Sequence, residues 1–396
     1  MNIGLDARYI CDHFPGIGRY VANLVSALAA LDHGYRLTLL YNPALPNTRH
    51  NLDALRRLPH VDLIATTARP FTLAEQIQIP RMARALRIDL LHSPYYLKPY
   101  LGLSCPTVVT IHDLIGWQFP HTLTPHARRL FRIAMRLAVR TATRIITVSH
   151  NARDDIAYYY RIPHARIAVT PEAADERFRP QSAETIAALC HRYGLTAPYV
   201  LYVGANKPHK NLERLIHAWE RVCATAATRP SPAPRLVIAG HYDPRYPSVQ
   251  RIVTERGLTT SVTFLPNVPE ADLPALYSGA ELFVFPSYYE GFGLPPLEAM
   301  ACGTPVVCAY TSSLPEVVGN AALTVDPFNF IELAEAIECL LHNPAMRAYL
   351  HEQGLRQAQR FSWQQTARQT FDVYAAILSE RPPASSRDSG GSFPGI

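Results

Sequence analysis

Glu290 and Glu298, with seven residues between them, lie in the run S-Y-Y-E-G-F-G-L-P-P-L-E-A-M-A-C-G at 287–303. A strand is predicted to end near Pro286. Gly291 and Gly293 then permit a tight turn, Pro295 and Pro296 sit where a helix begins, and Gly303 stops it. Such a turn aims backbone N–H groups outward at a helix N-terminus, which attracts anions, yet two carboxylates there repel a purely anionic ligand. The combination predicts a ligand that carries both hydroxyls and a phosphate. A second loop, G-A-N-K-P-H-K-N-L at 204–212, holds Lys207 and Lys210, two of only three lysines in the chain. His112 ends a predicted strand and is followed by Asp113, which either orients the imidazole or caps the next segment. Gly16 and Gly18 form a G-x-G after the first strand. A dinucleotide fingerprint would need a third glycine where Val21 stands and an acid where Asn42 follows the second strand, so nicotinamide chemistry is disfavoured.

These residues need strands that end where they stand. Short β-branched runs alternate with helical stretches, the pattern of parallel βαβ units. Strands are predicted at 2–6, 36–41, 89–92, 107–112, 144–148 and 166–170, and again at 199–203, 235–239, 262–265, 281–285, 305–309 and 321–325. The series restarts after a proline-bearing stretch, 171–198. The predicted fold class is α/β with two Rossmann-like domains, 1–180 and 181–380, whose parallel sheets face an interdomain cleft. A disordered tail is expected at 381–396. Ligands of doubly wound sheets bind beyond the carboxyl ends of the strands, where every residue named above is placed.

Composition narrows the class of protein. The 396 residues are 48% hydrophobic and 18% charged, which is globular. No apolar run is long enough to span a bilayer and the start lacks a signal-peptide pattern, so a cytoplasmic protein is expected. The seven cysteines are scattered without a CxxC pair, against a disulfide framework or a zinc site. Residues 1–180 carry 22 Lys and Arg against 13 Asp and Glu, leaving 16 against 19 for the remainder. The first half therefore suits an anionic surface. Arg128, Arg132, Arg136, Arg140 and Arg144 recur every four residues within 126–144, an amphipathic helix able to lie on anionic lipid as well as pack on its own sheet. No aromatic-and-basic nucleic-acid module is present, and nucleic acid is excluded as a partner.

The 290–298 spacing resembles the E-x7-E motif of retaining glycosyltransferases of the GT-B type, family 4. The likeness extends to the opening G-x-G, to V-V-T-I-H-D-L at 108–114, to I-T-V-S at 146–149 and to Y-V-G-A-N-K-P-H-K-N-L at 202–212. The resemblance implies that Glu290 contacts donor-sugar hydroxyls and that Glu298 holds the ribose. It implies that Phe292, Gly293 and Leu294 present N–H groups to the pyrophosphate, and that Lys210 binds the donor phosphate. It likewise places His112 at the sugar and closes the Gly16–Gly18 loop over the phosphates. The family often has arginine directly after the strand glycine, whereas here Ala205 follows Gly204, so Lys207 is the candidate substitute.

Within that family the chain most resembles O-antigen mannosyltransferases. The expectation is a metal-independent hexosyltransferase, because no two aspartates have the D-x-D spacing of the metal-dependent glycosyltransferase architecture. No cofactor is expected. Its partners would be a nucleotide sugar, first GDP-mannose, and a saccharide or polyprenyl-diphosphate-linked acceptor, with peripheral contact at the inner face of the membrane. Tyr95, Tyr96 and Tyr100 are candidates to stack on acceptor sugars or simply to pack. The alternatives are a UDP-glucose-type transferase, a sugar-nucleotide epimerase and a non-catalytic sugar-nucleotide-binding protein.

Overall fold

The structure, a computed structural model, describes residues 1–31, 34–196, 198–226 and 235–380, and the tail expected at 381–396 lies outside them. One sheet contains β1 (Asn2–Asp6), β2 (Arg36–Tyr41), β3 (Val61–Ala65), β4 (Leu90–Ser93), β5 (Thr107–Ile111), β6 (Arg144–Thr147) and β7 (Ile167–Val169). Its strand order is β3-β2-β1-β4-β5-β6-β7. The other contains β8 (Val200–Val203), β9 (Leu236–Gly240), β10 (Val262–Pro266), β11 (Leu282–Phe285), β12 (Val306–Ala309) and β13 (Ala322–Val325), in the order β10-β9-β8-β11-β12-β13. All pairings are parallel. Strands such as Leu282–Phe285 and Val306–Ala309 are apolar at every position and wholly buried, as helices on both faces require. The strand order reverses between β1 and β4 and between β8 and β11, which makes these the two places where a crevice opens.

Three features depart from the sequence expectation. β3 was not predicted: it is an edge strand with a half-exposed pattern and Asp62 inside it, so it lacks the continuous apolar run that marks the central strands. The arginine-bearing helix spans Pro125–Thr141, so Arg144 belongs to β6 and pairs with Glu380 at 3.2 Å. The final helix, Trp363–Ser379, does not stay with the second half of the chain. Trp363, Ala367, Tyr374 and Ile377 enter the core formed with Val21, Leu24 and Leu28 of the Pro15–Ala29 helix. Tyr374 Oη also meets His92 Nδ1 at 2.5 Å beneath the first sheet. The expected 181–380 unit is therefore corrected to one that returns its last helix to the first. An apolar helix face carries no local mark of which sheet it will cover.

The two halves also meet directly. Val148 packs with Phe292, Leu297 and Val317. Ser149 Oγ donates to the Gly291 carbonyl at 2.7 Å, while the Glu316 carboxylate accepts from the N–H groups of His150 and Asn151 at 2.8 and 2.7 Å. Glu316 thus supplies a negative group at the N-terminus of the His150–Tyr160 helix, where the macrodipole favours it.

Candidate active site

The wall built by the second sheet rests on two loops. After β8, Asn206 Nδ2 donates to the carbonyls of Asp243 and Tyr246, at 2.9 and 2.8 Å. Asn211, in the left-handed conformation with φ 58°, donates through Nδ2 to the carbonyls of Pro286 and Pro327. Both amides pin the turn between them. Lys210 Nζ is thereby brought to Glu290, donating to Oε1 at 2.7 Å and Oε2 at 3.0 Å, and lies 5.1 Å above the Phe285 ring. Gly204 opens this loop, packed so closely under Gly240 that a Cβ on Gly240 would strike its carbonyl. Lys207 is exposed.

After β11, Glu290 donates its N–H to Ser312 Oγ at 2.9 Å, and Ser313 Oγ donates to the carbonyls of Glu290 and Phe292. Gly293, at φ 121°, is the N-cap of the Leu294–Ala301 helix; Pro295 and Pro296 in its first turn carry no N–H, so the donors this turn offers a ligand are the backbone N–H groups of Phe292, Gly293 and Leu294. Gly291 has a separate requirement: a Cβ there would collide with the backbone carbonyl of His112 across the cleft.

Glu298 is 3% exposed. Its Oε1 accepts from Arg19 Nη1 at 2.5 Å and its Oε2 from Tyr277 Oη at 3.0 Å. Burial raises its pKa, and the Arg19 charge and the Tyr277 hydroxyl only partly offset that rise. Arg19 comes from the Pro15–Ala29 helix of the opposite wall and also contacts Glu270 at 3.1 Å. Arg177 and Arg49 meet Glu270 as well. Burial works against ionisation of Glu270, but Arg19 and Arg177 together hold its pKa down at about 2. Arg19 was not among the site residues expected from the sequence. Its one legible signal was a cation directly after G-x-G.

The first sheet's wall is assembled from more distant pieces. His112 Nδ1 lies 3.0 Å from Glu172 Oε1 and Nε2 lies 3.0 Å from the Pro94 carbonyl. A carbonyl and a carboxylate are both acceptors, an arrangement that favours a proton on each ring nitrogen. Burial opposes that charge, but the hydrogen bond and charge of Glu172, with Asp113 and the Pro94 carbonyl, outweigh it and raise the pKa. A contact between this ring and a sugar hydroxyl therefore requires one of the two bonds to open. Of the alternatives for Asp113, the structure shows the cap: Oδ1 accepts from the Ile115 N–H at 2.9 Å, and Glu172, which the sequence did not single out, takes the imidazole. Gly16 and Gly18 lie in the first turn of the Pro15–Ala29 helix rather than on a closing loop, because Pro15 suits a first helical position. Gly18 lies close to the Tyr9 carbonyl and His50, while nothing stands where a Gly16 Cβ would be. Tyr95 packs on Tyr9, Phe14 and Tyr96, and Tyr96 packs on Phe131, so these rings are engaged within the first wall.

The cleft thus pairs a lysine and a carboxylate at the strand-order reversal, with a buried carboxylate one helix turn beyond. That set can hold hydroxyls and stabilise an anionic leaving group. Comparison with known proteins gives the family. The family model described as glycosyl transferases group 1 matches residues 192–357, and that described as Glycosyltransferase Family 4 matches residues 15–178. The chain is 32% identical to O-antigen chain mannosyltransferase B of Escherichia coli over 374 residues, 91% of this chain and 96% of that one. It is 33% identical to the serotype-specific mannosyltransferase WbdA of Escherichia coli over 69% of this chain, but only 34% of that longer protein. Among solved structures, sucrose-phosphate synthase from Thermosynechococcus elongatus superposes with a TM-score of 0.75 at 24% identity, covering 96% of this chain and all of that one. Anabaena HepE in complex with UDP and glucose gives 0.72 at 20% identity, covering 95% and 99%. These two likenesses concern the fold alone.

Proposed function

The chain belongs to the group 1, family 4 glycosyltransferases and has their GT-B fold, and from that premise we propose that it moves mannose from GDP-mannose, with retention, to a saccharide or lipid-linked saccharide of a surface polysaccharide. The observation that carries this reading is the Lys210–Glu290 pair at the reversal point of the second sheet. In the proposed reaction Glu290 accepts hydroxyl hydrogen bonds from the donor sugar and Glu298 from the ribose. Lys210 and the N–H groups at Phe292, Gly293 and Leu294 receive the charge that grows on the diphosphate. The bond from the sugar's anomeric carbon to the diphosphate oxygen breaks, and the acceptor hydroxyl bonds to that carbon on the same face. The acceptor's proton passes to the departing phosphate oxygen. The cation, the N–H groups and the helix dipole supply electrostatic stabilisation without a metal ion or cofactor. The mannosyltransferase names of the relatives support mannose as the sugar.

The Pro125–Thr141 helix supports a further part of this reading, peripheral contact with anionic lipid. Ala134, Met135, Ala138 and Val139 face the core, whereas Leu130, Ile133 and Leu137 are exposed among Arg129, Arg132, Arg136 and Arg140. No acidic residue stands between Asp113 and Asp154 to oppose them. No helix among the described residues is long and apolar enough to cross a membrane.

Melting with EDTA present and GDP, UDP, ADP or their sugar conjugates added tests the donor. Stabilisation by GDP and GDP-mannose that is lost in Lys210→Ala is the expected outcome. A response to UDP species alone overturns mannose from GDP-mannose, and a response to no nucleotide overturns the donor site.

A further inference from the structure

The second sheet lays its cleft groups out in a row. Glu270 follows β10, Lys210 follows β8, Glu290 follows β11, Ser312 follows β12 and Phe328 follows β13, in the spatial order of the strands. The Arg19–Glu270 cluster stands at one end. At the other a cavity of about 540 Å³ opens between the two halves of the molecule, with Phe119, Asn151 and Asp155 on one side and Tyr288, Ser312 and Phe328 on the other.

Two kinds of surface meet there. Phe119 and Tyr288 lie with their rings 28° from parallel at 6.3 Å, and Phe328 follows at 5.0 Å from Tyr288. Phe328 is 66% exposed, so core packing does not account for it. Its loop is nonetheless fixed: the Phe328 N–H donates to Asp326 Oδ1, Asn211 holds the Pro327 carbonyl, and the Arg214 guanidinium lies 5.4 and 5.6 Å from the rings of Tyr288 and Phe328. The polar surface is equally fixed. Asp155 Oδ2 accepts from Tyr289 Oη at 2.7 Å and Asn151 Nδ2 at 3.0 Å, which orients the carboxylate and leaves Oδ1 facing no hydrogen-bond donor among the described residues. Ser312, held at φ 51° where a non-glycine residue is strained, accepts the Glu290 N–H on Oγ and keeps its own proton to donate.

A rigid, solvent-facing aromatic platform bordered by an oriented carboxylate, an amide and a hydroxyl has the chemistry of a pyranose site. The ring's C–H face lies on the aromatic faces while its hydroxyls meet the polar groups. We propose that this cavity binds a sugar ring of the acceptor saccharide beside Glu290. The inference rests on the reading that Glu290 meets the donor sugar, and it moves acceptor recognition from Tyr95, Tyr96 and Tyr100 to the cavity between the halves.

Saturation-transfer NMR on the full chain, with methyl α-D-mannopyranoside and α-mannobiose as probes, tests it. The expected result is transfer to the sugar C–H protons that persists when GDP is added, with affinity about tenfold weaker in Phe328→Ala. Asp155→Asn, which keeps the aromatic platform, weakens binding too, and both variants retain their thermal stabilisation by GDP. Unchanged saccharide binding in both variants, competition by GDP, or no transfer from a protein that does bind GDP overturns the proposal alone. No stabilisation by GDP or UDP overturns the donor reading and, with it, this inference.

Discussion

The two walls of the cleft are built in different ways. On the second sheet's wall the reactive groups come from two short runs, 204–212 and 287–298, and reach one another because β8 and β11 are adjacent. On the first sheet's wall, Arg19, Pro94, His112 and Glu172 come from four separated segments, and each owes its place to a partner far away in the chain. A local loop fixed by its own amides holds its charged groups in a precise arrangement. An assembled wall can carry its charge across the cleft, as Arg19 does to Glu298.

Removing the lysine should break that contrast most severely. Lys210→Ala is expected to lower kcat about 10²–10³-fold, the size of losing one charge-stabilising donor, and steady-state turnover with GDP-mannose checks it. Glu290→Gln should fall comparably. Because the two groups touch, the double variant should lose much less than the product of the single losses.

The first wall offers a smaller but more diagnostic effect. Glu172→Gln keeps an acceptor oxygen for the ring but removes the charge that favours its protonated form, so the imidazole pKa should fall, as read by NMR titration of the ring, with turnover lowered about tenfold. A raised histidine pKa stabilises the folded state fully below the unfolded value near 6.5, and that contribution is lost as the pH climbs through the folded value. The stability gap between wild type and variant should accordingly narrow from mildly acidic to alkaline pH. An unmoved His112 titration would refute this role of Glu172.

The outer face of the first wall gives the smallest step. The full chain should sediment with phosphatidylglycerol vesicles and be released by salt, and Arg136→Ala should weaken binding about fivefold, equivalent to about 1 kcal/mol per basic residue at the surface. Equal binding to uncharged vesicles would exclude the electrostatic contact.

The ease with which each wall could be read from the sequence follows the same division. Glu290, Glu298 and Lys210 were legible because glycines, prolines and carboxylates at fixed spacing specify a turn, a helix start and its chemistry within a dozen residues. Glu172 and Asn211 were not singled out, since a lone acid in a linker and an asparagine after a lysine have many ordinary uses. Lys207, expected from the sequence as the substitute for the missing arginine, stands exposed. The tyrosines of 95–100 carried the right chemistry for stacking, yet their neighbours consume it in packing.

By itself the sequence determined the alternation of strands and helices, the two parallel sheets and the turn and helix start that carry the two glutamates, because periodicity, turn residues and helix-start residues act within a few positions of one another. Only the tertiary structure decided that Glu172 rather than Asp113 holds His112, that Arg19 reaches Glu298, that Gly291 lies against the opposite wall and that the last helix returns to the first sheet. Each of those depends on which buried surfaces and charges find one another across long stretches of chain, and burial sets their strength by removing the water that would otherwise screen them.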